Sequence, residues 1–419
     1  MKIYKKSVLS NGIRLVSEYH PRSRAVSVGI WVLTGTRHES SQSAGAAHFL
    51  EHLVFKGTKK RSAYKIAWEL ESLGGELNAF TSRENTSFQG LVLKEHWLAA
   101  VDVLCDLISN MDLRKKDFAL EKGVILQEIA MSEDNYEEFI YDLFHQDVYP
   151  GQALGWSILG SIKSIAKMKI SDITKHYKQH FTGKNLIVSV AGCVQHEDIL
   201  KAIEKRLKNK PKFSIALLQE KPQWSMARTV YEKNTEQVHV LMGLPCSSFQ
   251  DKDRYAAYLV NAWLGGGMTS LLFQSVREKK GLVYSIYSSM NTFVDGGSLL
   301  IYAATDFEKV KSVVDLIIKE IKKVQQKGLS AKALKMYKTQ VIGGLLLGSD
   351  DLESRMSSLA VNEMIFEKYR PIDDIIAEIE KVSVKDIDRF IKDRLDLKKL
   401  SGVLLGSKVE SLRDWWQKV

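Results

Sequence analysis

Cysteine is scarce. Cys105, Cys193 and Cys246 are the only three in 419 residues, odd in number, far apart and outside any CxxC spacing. They exclude a disulfide framework and a cysteine zinc site, and they suit a reducing, cytoplasmic compartment. Proline is sparse too, with 6 in the whole chain, so long disordered stretches are not expected. No run approaches the ~20 apolar residues that cross a bilayer. The N-terminus has no continuous apolar block; "MKIYKKSVLSNGIRLVSEY" alternates around Asn11-Gly12, which reads as a β-hairpin and not as an export signal. A precursor trimmed before residue 1 would read the same. The net charge of +10 is spread among acids without a nucleic-acid motif, so neither nucleic acid nor membrane is expected as a partner.

What is present is a folded chain, 45% hydrophobic and 26% charged, too long for one core, since cores stop growing at roughly 250–300 residues. Its elements recur in the same order. "VSVGIWVLTG" leads to "AAHFLEHLVFKG" as "QVHVLMGLP" leads to "YAAYLVNAWLGGG". Each half continues with a helix, a glycine turn, two strand-like runs and two helices, and ends on a helix, a strand and a helix. The pattern predicts an α+β fold of two homologous domains, each a mainly antiparallel sheet packed with helices. Domain bounds of 1–208 and 226–419 follow, with a proline-bearing linker at 209–225.

The copies differ at one helix. In "AGAAHFLEHLVFKGT", His48, Glu51, His52 and Phe55 fall within about a 100° arc of a helix, opposite Ala46, Phe49, Leu50 and Leu53. Laid on "AAYLVNAW", they meet Tyr258, Asn261 and Ala262 at the three polar positions, so the scaffold exists without the His/Glu/His face. Histidines at i and i+4 can share one zinc ion, with Glu51 placed as a base. A catalytic zinc needs a third protein ligand. "LEKGVILQEIAMSE" offers Glu121 and Glu128, two turns apart on nearly one helix face. A buried helix whose histidines pair with acids is the competing reading.

HxxEH followed by a glutamate about 75 residues later resembles the inverted-motif zinc metallopeptidases of the M16 (pitrilysin/insulinase) family. "HFLEHLVFKGT", "GGELNAFTSRENTSF", "EKGVILQEI" and "LGGGMTSLLFQSVREKKGLVYSI" are similar to the processing-peptidase β-subunit branch and its small bacterial relatives. The resemblance implies a processing-peptidase-like metallohydrolase fold and one zinc ion per chain. It implies His48, His52 and Glu128 as ligands, Glu51 as general base and Glu121 as a further acid orienting His52. It also implies substrate binding by Asn78, Ala79 and Phe80, and catalytic roles for Tyr284 and Arg277 of the second half.

Taken without the resemblance, "LNAFTS" reads equally as a hairpin strand with no function, Arg277 as a surface residue and Tyr284 as a core residue. The acid-rich "EIAMSEDNYEEFIYD" reads either as a lure for basic peptides or as a solvated helix face. "LGGGMTS" lacks the lysine and position of a phosphate loop. The expected activity is zinc-dependent endopeptidase action on short or unfolded peptides, presequence-like basic ones among them, in a closed chamber. Such families enclose the site between four domains, which implies a homodimer or a heterodimer with a degenerate paralogue. The alternative is a non-catalytic assembly or peptide-binding subunit of the same fold.

Overall fold

The structure is a computed structural model that describes residues 3–213 and 221–419. Residues 214–220 of the expected linker lie outside the described residues. The first half runs β1 (Tyr4–Val8), β2 (Arg14–Tyr19), β3 (Ala25–Val32), α1 (Ala46–Val54), α2 (Ala63–Glu71), β4 (Glu76–Thr81), β5 (Thr86–Leu93), α3 (Trp97–Asn110), α4 (Lys115–Asp134), α5 (Tyr136–Val148), α6 (Ile162–Lys167), α7 (Ile170–His180), β6 (Leu186–Gly192) and α8 (His196–Leu207). The second runs β7 (Arg228–Glu232), β8 (Val238–Pro245), α9 (Arg254–Gly265), β9 (Ser285–Thr292), β10 (Gly297–Thr305), α10 (Val310–Lys327), α11 (Ala331–Gly348), α12 (Leu352–Phe366), α13 (Ile372–Lys381), α14 (Val384–Arg394), β11 (Ser401–Gly406) and α15 (Arg413–Trp416). None of the described helices is long and apolar enough to cross a membrane, and all three cysteines are free.

The two sheets share a topology. The first has the order β1-β2-β6-β3-β5-β4 and the second β7-β11-β8-β10-β9. Without β1 the two orders correspond strand for strand, and the single parallel pair falls at the same place, β2 with β6 and β7 with β11. The α+β class with mainly antiparallel sheets is therefore as the sequence pattern implies. The expected closing helix of the second half is reduced to the four residues of α15 after a 3-10 turn at Val409–Leu412.

Central strands are apolar on both faces because both faces are covered. In β3, "AVSVGIWV", every residue after Ala25 is buried. One face meets α1, α3, α4 and α8 through Phe49, Leu50, Leu104, Ile125 and Ile203. The other, through Val16, Trp31 and Ile187, meets Met356, Leu359 and Ala360 of α12. The second sheet has the same arrangement, its outer face of Leu241, Leu300 and Val403 being covered by Ile140, Leu143 and Phe144 of α5.

Each compact unit thus takes a helix from the other half of the sequence. One unit falls within Met1–Met131, Trp156–Glu220 and Leu347–Tyr369; the other within Ser132–Gly155, Lys221–Leu346 and Arg370–Val419. α12 is fastened by charge as well as by packing. Its Arg355 grips Glu18 of β2 through Nε at 3.1 Å and through Nη2, and its Glu363 lies 2.8 Å from Lys6 and 3.3 Å from Arg14. α5 adds an apolar face to the acid-rich stretch, burying Ile140, Leu143, Phe144 and Val148. Glu137 accepts from the Tyr287 hydroxyl at 3.0 Å and Glu133 of α4 lies 3.4 Å from Lys233, while Asp134, Glu137 and Glu138 are exposed, so the acids form a largely solvated face beside the apolar one.

A glycine makes room for each exchanged helix. A Cβ at Gly29 in β3 would lie 2.4 Å from Met356 Sδ, and one at Gly243 in β8 would lie 2.4 Å from Phe144 Cζ and 2.7 Å from Leu300 Cδ2. Gly243→Ala is expected to destabilise the protein by about 1–3 kcal/mol through overpacking, measured by urea unfolding. Phe144→Leu in the same chain should recover part of that loss. Strict additivity of the two substitutions, within ~0.5 kcal/mol, would show that this contact is not the cause.

Candidate active site

α1 begins at Gly45, whose φ of +93° opens the turn that a side chain would resist. A Cβ there would also meet Ile165 Cδ1 and Leu159 O at 2.8 Å. The helix has no capping side chain of its own at that position. Glu39, fully buried, reaches the exposed amides instead, accepting from Gly45 N–H at 2.7 Å and Ala47 N–H at 2.6 Å. Burial pushes the Glu39 carboxyl up to about 8, against the pull of the Ala47, Gly45 and Ala46 amides. Phe49 and Leu50 then anchor the inner side of α1, Phe49 stacking on Phe118 of α4 at 4.8 Å.

With α1 and α4 joined in this way, the polar faces meet. His48 Nε2 is 3.7 Å from one oxygen of Glu128, and His52 Nε2 is 3.3 Å from the other. His48, His52 and Glu128 each offer a ligand atom within 4.8 Å of the other two, the only such set of three histidine, cysteine or acidic residues among the described residues. Burial, followed by the charge of His52, lowers His48 to about 3, so its imidazole is neutral with a lone pair to give. His48 Nδ1 and Glu128 Oε2 are buried without a hydrogen-bond partner. Two imidazoles and a carboxylate around such orphaned atoms are the donor set that a zinc ion takes, with a coordination position left over.

The surrounding groups are arranged for those three. Glu121 is 4% exposed, not the solvated glutamate that its position on a polar helix allows. Its carboxylate lies 3.1 Å from His52 Nδ1 and 2.9 Å from Lys56 Nζ, which places the proton of His52 on Nδ1 and leaves Nε2 free for a metal. Glu51 stands on the same face. Its carboxyl accepts from the Thr81 hydroxyl at 2.5 Å, and burial raises its pKa, with Glu128 adding to the rise while Thr81 and His52 oppose it.

Thr81 ends β4, the edge strand of the first sheet, which pairs only with β5 among the described strands. Asn78, Ala79 and Phe80 therefore lie on an open strand edge that runs up to Glu51. Phe80 is 42% exposed and sits edge-on to Trp31 at 5.5 Å. Beside the strand is a cavity of about 370 Å³ lined by Phe55, Ala67, Leu77 and Asn78, among others, large enough for a substrate side chain. Thr81, Glu39 and Lys56 were not among the residues expected from sequence.

Arg277 and Tyr284 belong to the second unit. Arg277 lies in the last turn of a π-helical segment, Phe273–Glu278, and its guanidinium lies 4.7 Å from the Phe273 ring and 5.4 Å from that of Tyr284. Tyr284 is 77% exposed and not a core residue. α9 carries Tyr258, Asn261 and Ala262 where α1 carries the polar triplet, and no metal set forms there among the described residues. The glycines of "LGGGMTS" serve packing at two positions. A Cβ on Gly265 would lie 2.3 Å from Ser288 N in β9, and one on Gly266 would lie 2.7 Å from Ala262 Cα.

Comparison with known proteins agrees with this division. Residues 14–161 match the family model described as Insulinase (Peptidase family M16), and residues 167–341 match the one described as Peptidase M16 inactive domain. An uncharacterized zinc protease of Bacillus subtilis is 34% identical over 92% of this chain and 94% of its own. One from Mycobacterium tuberculosis is 32% identical over 96% and 92%. Among solved structures, a protease from Helicobacter pylori has a TM-score of 0.91 at 22% identity, covering 96% of this chain and 99% of its own. The M16 inactive-domain protein of Pseudomonas fluorescens has a TM-score of 0.89 at 17% identity, over 97% and 98%. These two likenesses are of fold. The chain belongs to the insulinase family of peptidases, family M16.

Proposed function

We propose that this chain is a zinc-dependent endopeptidase in which His48, His52 and Glu128 hold the metal and Glu51 moves the proton. The observation that carries the reading is the convergence of two imidazoles, one of them held neutral by burial, and Glu128, with Glu51 beside them. When bound, zinc supplies Lewis acidity to the scissile carbonyl and lowers the pKa of water. Glu51 takes the proton of the attacking water and returns it to the leaving amine. Its raised pKa suits both halves of that task. Thr81 holds the carboxyl in place, and Glu121 fixes the tautomer and ring orientation of His52.

The edge of β4 takes the substrate as an added strand, through main-chain hydrogen bonds at Asn78, Ala79 and Phe80. Recognition by main chain requires an extended peptide, so short or unfolded chains are substrates and folded proteins are not. Presequence-like basic peptides fall within that class. The exposed Tyr284 hydroxyl is assigned to the scissile carbonyl and Arg277 to substrate, roles supported by the resemblance of "REKKGLVYS" and by the stacking that orders the pair. The same resemblance implies a chamber of four domains, hence a homodimer of this two-domain chain.

Three measurements test the reading. Glu51→Gln should lower hydrolysis of a quenched peptide by about 10²–10⁴-fold while the purified chain still binds one zinc ion. Unchanged hydrolysis would leave the non-catalytic subunit as the better account. Glu121→Gln should weaken zinc affinity roughly 10–100-fold at unchanged stoichiometry, read by competition with a chromogenic chelator. Light scattering on the active fraction should return twice the mass of one chain; full activity in a fraction of single-chain mass would rule out the dimeric chamber.

A further inference from the structure

The two histidines of the metal set are held in different ways. His52 is fixed through its ring, because its Nδ1 lies 3.1 Å from the Glu121 carboxylate. Ligating histidines almost always engage their second ring nitrogen like this, which sets the orientation of the ring. His48 has no such partner: its side chain is buried, and its Nδ1 makes no hydrogen bond among the described residues. Edge contact with the His52 ring at 4.7 Å limits its tilt. How far its Nε2 reaches is then decided by the backbone that carries it.

That backbone is the first turn of α1, formed by Ala46, Ala47 and His48. The next turn is anchored by Phe49 and Leu50, both buried in the core. The first has no cap of its own, and its cap position admits no side chain, since a Cβ on Gly45 would lie 2.8 Å from both Ile165 Cδ1 and Leu159 O. Ala46 N–H donates to Ser43 O at 2.9 Å, and the amides of Gly45 and Ala47 are left to Glu39. Glu39 comes from a braced segment. Its own amide donates to Thr36 O at 3.1 Å, and the Arg37 amide donates to Arg83 O at 2.8 Å. A single carboxyl on a firm base therefore sets where the turn bearing His48 begins.

We propose that Glu39 is a positioning residue of the metal centre that acts through His48, by holding the first turn of α1 where His48 Nε2 meets His52 and Glu128. The inference rests on the zinc site proposed above. Without the carboxyl, the amides of Gly45 and Ala47 are stranded in buried surroundings, a cost that the turn relieves by unwinding toward water. His48 moves with the turn. His52 and Glu128 stay, held by Glu121 and by the packing of α4.

Zinc affinity of the full chain, measured against a chromogenic chelator, and the visible spectrum of the cobalt(II)-loaded chain test this. Glu39→Ala should weaken zinc roughly 10–100-fold at one ion per chain, and its cobalt bands should match those of His48→Ala, because the same ligand is lost. Glu39→Gln keeps one acceptor oxygen in place of two and should lose less. In a His48→Ala chain, adding Glu39→Ala should change zinc affinity by no more than about twofold, since the residue it acts through is gone. If the alanine chain does not fold, Glu39→Gln carries the same comparisons. Two outcomes overturn the inference. One is a chain that unfolds more easily in urea while its zinc affinity and cobalt spectrum stay at the wild-type level, as a plain helix cap requires. The other is a loss of affinity that persists in full without His48. Equal zinc binding by the wild-type and His48→Ala chains would instead overturn the zinc site itself, and this inference with it.

Discussion

The contact of α1 with α4 is the constraint on which the rest of the first unit depends. His48 and His52 can share a ligand only if the axial register of the two helices sets Glu128 opposite both of them. That register comes from apolar groups away from the chemistry, the stacked Phe49 and Phe118 and the buried Ile125 and Ile129. Glu121, two turns before Glu128, then necessarily falls beside His52 Nδ1. One packing decision therefore places the third ligand and the group that fixes a tautomer. The buried, neutral imidazole of His48, with its Nδ1 unpartnered, and a Glu128 oxygen that is likewise unpartnered cost stability in the absence of a cation, so this arrangement trades fold stability for binding.

The duplication shows which features belong to the scaffold. Both sheets keep the strand order, the parallel pair and a glycine in the second central strand where an exchanged helix comes close, Gly29 beneath Met356 and Gly243 beneath Phe144. These recur because close packing of a helix on a sheet demands them, whatever the chemistry. The His/Glu/His face does not recur; α9 folds with Tyr258, Asn261 and Ala262 in its place. A polar face that one copy carries and the other folds without is not explained by folding.

Legibility followed sequence distance. The face of α1 could be read because its members are three and four residues apart on a helix, and Glu121 with Glu128 because they are seven apart on another. The two-domain α+β architecture emerged from the repeat, but the order of strands within each sheet did not. Thr81 was in plain view at the end of "LNAFTS", but nothing local shows a hydroxyl turning to a glutamate 30 residues earlier. Glu39 had no signal either, since it caps a helix from outside it and not from the usual position. In α5 the apolar spacing of Ile140, Leu143, Phe144 and Val148 was present, but the neighbouring acids dominated the reading. α12 was missed because its covering of a sheet more than 150 residues earlier in the chain follows from tertiary structure alone.

His38 and Glu39 connect the two polar regions of the first unit. The His38 side chain lines a cavity with His176 and His180, while the carboxyl group of the next residue holds the first amides of α1. Between them the backbone has little slack: Gly35 admits no Cβ because Ser82 O would lie 2.2 Å away, and Arg37 is tied to Glu84 at 2.6 Å. Ser82 and Glu84 belong to the turn that follows β4, the strand whose Thr81 orients Glu51. A short segment, residues 35–39, thus touches the start of the histidine-bearing helix, the turn beyond the substrate-edge strand and the wall of a separate cavity. Displacement at any one of these would be felt by the other two, because a tightly packed backbone shifts as a piece and does not deform residue by residue.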